Sequence, residues 1–168
     1  MTRIAVVVGN PKQASRTLSV ATAVADAIAT AAPTSAELLV VDLAEYAGTV
    51  FDAGSEDLNR LTVDVAQSEI VIAASPTYKA SYTGLLKAFF DRYGSDALEG
   101  VIGVPVMTGA AHIHALAVEV HLRPLLVELG AVVPTRGLYV TEPQLPELDS
   151  VVSAWARTAL RLIAQNLP

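Results

Sequence analysis

Five short apolar runs recur along the chain and alternate with stretches of helical period. The first three are Arg3 to Val8 (RIAVVV), Glu37 to Val41 (ELLVV) and Ile70 to Ala74 (IVIAA). A fourth, Val101 to Met107, is broken by Gly103 and Pro105; the last strand comes from Ala131 to Val133 and Leu138 to Val140, interrupted around Pro134 to Gly137. β-Branched runs of this kind belong to strands buried on both faces. Between them, Leu18, Ala21, Ala25, Ile28 and Ala32 mark a long Ala-rich helix stopped by Pro33, and Leu58, Leu61 and Val65 a short one. From Ser81 a helix follows with Leu85, Leu86, Phe89 and Phe90 on one broad face. Leu148, Val151, Val152, Trp155, Ala159, Leu162 and Ile163 mark the closing helix. Leu43 to Gly54 has no period and reads as a loop. Strands alternating with helices imply a parallel five-stranded sheet with right-handed crossovers.

The helix from about His112 to Leu129 breaks its own period. Ile113, Leu116, Ala117 and Val120 share one face, but continuing that face reaches Pro124 and Glu128, while the apolar Leu125 and Leu129 come one position late. Pro124 also removes an N–H from the helix interior. One inserted residue, a π-bulge near Val120–His121, reconciles the halves and turns one of these side chains out of the core.

Three turns follow strands, where parallel sheets place their ligand crevice. Gly9 to Thr17 (GNPKQASRT) is short, polar and doubly basic, and feeds a helix start; backbone N–H groups, the helix dipole and the Ser15 and Thr17 hydroxyls would favour an anion. The same residues read equally well as a capped helix start with two solvated cations. Ser75 to Lys79 (SPTYK) is either a site or a corner in which Pro76 only turns and Tyr78 only packs. Thr108-Gly109-Ala110-Ala111 lets a flat ligand approach the backbone, or serves packing. Neither G-x-G-x-x-G nor G-x-x-x-x-G-K-[ST] is present, which leaves a mononucleotide phosphate as the natural anion.

Composition narrows the chemistry. The 168 residues suit one domain over 1–168, and 52% hydrophobic against 17% charged suits a covered sheet with an apolar oligomer interface. Zero cysteine removes disulfides, thiolate catalysis and Cys-ligated metals. A net charge of −6 without a basic stretch argues against nucleic acid or an anionic membrane as partner. No apolar run is long enough for a membrane span and no signal-like segment opens the chain, so the expected location is cytoplasmic. His112, His114 and His121 lack i,i+4 spacing, so no metal is expected. Without an esterase elbow or a paired set of carboxylates, a cofactor is the expected agent of any reaction.

Taken together, the three turns resemble the NADPH-dependent FMN reductase family, closest to flavin reductases that serve two-component monooxygenases such as the alkanesulfonate system. The resemblance rests on Gly9 to Thr17, on Ser75 to Lys87 (SPTYKASYTGLLK), which is the most specific piece, and on Thr108 to His112. Against the family's Gly-Ser-x-Arg-x-x-Ser, this chain has Asn10 and Lys12 in place of the serine and arginine and retains Ser15. Ala110 replaces the second glycine of the third turn. The extra residue in the fourth helix resembles the two-component subgroup.

The resemblance implies a flavodoxin-like, doubly wound parallel sheet of order 2-1-3-4-5 with helices on both faces. It implies hydride transfer from NADPH or NADH to FMN, with reduced flavin supplied to a partner monooxygenase. Asn10, Lys12, Ser15, Arg16 and Thr17 would bind the FMN phosphate; Pro76, Thr77, Tyr78, Lys79, Thr108, Gly109 and Ala110 would line its ring and ribityl chain, with no protein acid or base. A quinone- or azo-type reductase with bound FMN, or an electron carrier that does not turn over NAD(P)H, are the alternatives. The broad face of Leu85, Leu86, Phe89 and Phe90 predicts a homodimer or homotetramer through that helix and the next.

Overall fold

The expected runs form five parallel strands: β1 (Thr2–Val8), β2 (Ala36–Asp42), β3 (Ile70–Pro76), β4 (Ile102–Gly109) and β5 (Leu138–Thr141). They make one sheet in the order β2-β1-β3-β4-β5, as the flavodoxin-like expectation requires. The structure is a computed structural model that describes residues 1–167; Pro168, the last residue of the expected domain, lies outside them. Every residue of β3 is buried.

Alternation along the strands divides the core in two. On one face Ile4, Val6, Ile72 and Val104 pack against α1 (Arg16–Ala31) and α5 (Leu148–Asn166). On the other, Ala5, Val7, Val71 and Ala73 meet α2 (Glu56–Ala66), α3 (Gly84–Phe90) and α4 (Arg123–Glu128).

Pro105 and Gly103 do not break β4, which runs unbroken through both. Residues two apart in a strand point their N–H groups to the same side, and the Gly103 N–H reaches the Val132 carbonyl at 2.8 Å, toward β5. The missing donor of Pro105 therefore faces the gap where Val133 to Gly137 leave the sheet before Leu138 rejoins it beside Val106. A proline is tolerated where the ladder is already interrupted.

The departing segment is held by the fourth helical region. A π-turn spans Val118–Leu122, where the expected bulge lies, and the Arg123 N–H returns to the Val118 carbonyl. Glu119 and Arg123 pair at 2.6 Å. Arg123 also donates to the carbonyls of Val133, at 2.7 Å, and Thr135, while Glu119 accepts the Gly137 N–H at 2.7 Å.

Two expectations about faces are corrected. Leu86, Phe89 and Phe90 are buried inside the molecule and Leu85 is partly buried against the same core, so α3 does not present the broad apolar face expected of it. Ile113, Leu116 and Val120 lie outside the core, which takes Ala117, Val118, Leu122 and Leu126 instead; the chain over His112–His114 is a single 3-10 turn, so the register assumed for a long helix does not apply. The third helix also begins later than Ser81. Tyr78 and Ser81 close a tight turn first, and Thr83 caps the helix that starts at Gly84, its hydroxyl accepting the Leu86 N–H.

Candidate functional site

The carboxyl ends of β1, β3, β4 and β5 open into a cavity of about 350 Å³, within the range of small-ligand sites. Of the twelve residues singled out in the sequence, eleven line it: Asn10, Lys12, Ser15, Arg16 and Thr17 from the first turn, Pro76, Thr77 and Tyr78 from the second, Thr108, Gly109 and Ala110 from the third. Lys79 does not. It sits with Ala80 at the tip of the Tyr78–Ser81 turn, where both residues have positive φ (51° and 66°).

The first turn is shaped by its own side chains. Asn10 accepts the Lys12 N–H at 2.9 Å and donates to the Thr17 hydroxyl at 3.1 Å. Ser15 caps α1, its Oγ accepting the Leu18 N–H at 3.2 Å. That bond leaves the serine's own O–H proton to donate. Thr17 is buried and its hydroxyl meets that of Thr108 at 2.8 Å, so it stitches the first turn to the third. Asn10 and Thr17 thus shape the loop, while Lys12, Ser15, Arg16 and the opening N–H groups of α1 form its electropositive rim.

Thr83 joins the first and second turns. Its hydroxyl donates to the Gly9 carbonyl and accepts the Leu86 N–H, while its own N–H goes to the buried Ser75 hydroxyl at 2.9 Å. Gly9 must be glycine for this approach, because a Cβ there would lie 2.3 Å from that of Leu86. The second and third turns are tied in the same way. Thr77 donates its N–H to the Thr108 carbonyl at 2.7 Å, and its hydroxyl lies 3.2 Å from that of Tyr139.

Sequence reasoning missed Ala14, Val140, Glu142 and Leu145, which complete the lining. Ala14 adopts a left-handed φ of 47° with its N–H on Asp42 at 3.3 Å, a role glycine or asparagine would have advertised. The other three follow or end β5 and belong to no motif, although the rule that ligands sit past strand ends points at them. Among the described residues no group of three or more His, Asp or Glu stands close enough to hold a metal, and no helix is long and apolar enough to cross a membrane.

Residues 2–144 match the NADPH-dependent FMN reductase family. The NADH-dependent FMN reductase SfnF of Pseudomonas putida is 38% identical over 90 residues, 54% of this chain and 48% of that protein. The chain spans about half the length of the first curated relatives it matches. The FMN reductase (NADPH) of Pseudomonas aeruginosa is 28% identical over 98% of this chain and 89% of its own length. Among solved structures, an NADH:FMN oxidoreductase (EMOB) in its apo form superposes with a TM-score of 0.89 at 25% identity, over 100% of this chain and 91% of the other.

Proposed function

Because the chain belongs to the NADPH-dependent FMN reductase family, we propose that it passes a hydride from NADPH or NADH to FMN and hands the reduced flavin to a partner monooxygenase. The observation that carries this reading is the convergence of the three turns on one cavity, basic and hydroxyl-bearing at the α1 end and bounded by backbone at the other. Such a cavity fits FMN. Lys12, Ser15, Arg16 and the α1 N–H groups would hold the phosphate; Pro76, Thr77, Tyr78, Thr108, Gly109 and Ala110 would lie along the ribityl chain and ring; Lys79 would reach only from the edge. FMN, when bound, supplies the hydride-accepting ring. The chain's own residues hold that ring and leave room beside half-exposed Tyr78 for a nicotinamide.

The domain reading covers the whole chain, with a cytoplasmic location. Relatives carry both NADH and NADPH in their names, and the proposal covers either nucleotide. The proposed oligomer is a homodimer or homotetramer, now assigned to the exposed Ile113, Leu116, Val120 and Val127. The deciding test is oxidation of NADPH and of NADH by the purified protein, with and without added FMN. Turnover that requires free FMN supports a reductase using flavin as substrate; no turnover with either nucleotide overturns the reading.

A further inference from the structure

A carboxylate lines the cavity at its electropositive end. Glu142 is the residue after β5, and its Oε1 lies 3.0 Å from Nη2 of Arg16, the first residue of α1. Both side chains are more than half exposed, at 51% and 65%. The arginine best placed for an anion is therefore already paired. Ala14, in the same turn, spends its N–H on Asp42. Lys12 is the one lining cation without an ion pair among the described residues.

Resting on the reading above, that this cavity takes FMN by its phosphate, we infer that Glu142 sets how loosely the flavin phosphate is held. A phosphate monoester is close to a dianion at neutral pH. On arrival it meets a guanidinium whose charge is already partly compensated by the Glu142 carboxylate 3.0 Å away. For Arg16 to turn to the phosphate it must leave Glu142, and the freed carboxylate then faces the dianion within the same cavity. Both effects lower affinity for FMN and neither touches the ring. They suit a flavin that is exchanged as a substrate and not retained. Because Glu142 joins the loop after β5 to the start of α1, the pair can also re-form behind a departing phosphate.

The test is a set of fluorescence titrations with FMN and with riboflavin, which has the same ring and ribityl chain but no phosphate. Wild type, Glu142→Gln, Arg16→Ala and the double variant are compared. Glu142→Gln is expected to bind FMN about three- to fivefold more tightly, the scale of a partly exposed ion pair, and to leave riboflavin unchanged. In the Arg16→Ala background only the carboxylate's own repulsion remains, so a smaller gain for FMN, and none for riboflavin, is expected. Unchanged or weaker FMN binding by Glu142→Gln would overturn the inference and make Glu142 a residue that aims Arg16 at the phosphate. Equal tightening of riboflavin, or a gain that is undiminished without Arg16, would overturn it as well. Failure of the underlying reading looks different: wild type would then bind riboflavin as tightly as FMN, and the inference would fall with it.

Discussion

The hydroxyl of Tyr139, on β5, occupies the space in which a side chain at Gly109 would begin; a Cβ built on Gly109 would stand 2.0 Å from it. The same hydroxyl lies 3.2 Å from that of Thr77 and 3.3 Å from the Ala111 carbonyl. Tyr139 therefore props the third turn from beneath and ties it to the second. Gly109→Ala should cost about 1–3 kcal/mol of stability, as for other overpacked sites, and should weaken FMN binding. Tyr139→Phe in that background should recover part of the stability by removing the clashing oxygen. Thermal melts of the two variants check this, and no recovery would mean that the ring and not the hydroxyl is the obstacle.

Ser15 combines two roles, capping α1 and facing the cavity. Ser15→Ala should lower stability by about 1 kcal/mol through the lost cap. It should also weaken FMN more than riboflavin, since only FMN offers a phosphate to the hydroxyl. Paired titrations of the two flavins separate the effects. Equal losses for both would place the phosphate elsewhere.

Glu119 gives the fold a dependence on acid. Partial burial pushes its carboxyl up, but hydrogen bonds from Arg123 and from the Gly137 N–H, with the charges of Arg123 and Arg136, outweigh this and hold it below the ordinary value of 4.5. A depressed folded-state pKa contributes stability that is present above the unfolded value and lost as pH falls through the folded one. Glu119→Gln should therefore lower stability near neutrality and flatten its decline below about pH 4.5. Denaturant midpoints measured across that range, parallel to wild type throughout, would count against the assignment.

The π-turn is expected to be structural as well as irregular. It sets Glu119 and Arg123 so that both reach the segment from Val133 to Gly137. Deleting His121 would bring the two residues one position closer and rotate one of them off the segment by about a hundred degrees. The variant should lose about 2 kcal/mol or more, because charge-assisted bonds to part-buried carbonyls go unmade. A chemical denaturation curve matching wild type would remove the bracing role.

Association is predicted to run through the exposed apolar residues before and along α4 and not through α3. Leu116→Glu should shift light-scattering mass toward monomer, whereas polar substitution on the solvent side of α3, at Lys87, should not. A monomeric wild type at micromolar concentration would defeat this prediction.

The five strands, the helices α1, α2, α3 and α5 and the three turns at the strand ends are legible in the residues alone, whereas the long helix expected from His112 to Leu129 is a 3-10 turn, a π-turn and the short α4. Those features are written locally: in β-branched runs, in helical spacing, and in the prolines, glycines and capping residues that end each element. The π-turn lies where the inserted residue is expected, although most of the face that predicts it, Ile113, Leu116 and Val120, stands outside the core. Tertiary structure alone decided which faces those elements bury. The apolar face of α3 is used up beneath the sheet, while Ile113, Leu116 and Val120, apolar and helically spaced, stand outside it. Periodicity gives the angle between side chains but not the direction of the neighbour that covers them. Only the fold could show that Thr17 is spent on Thr108, that Pro105 faces a gap, and that Glu142, some 126 positions away in sequence, closes on Arg16. Such pairings depend on where separate strands end in space, and no local pattern of residues encodes them.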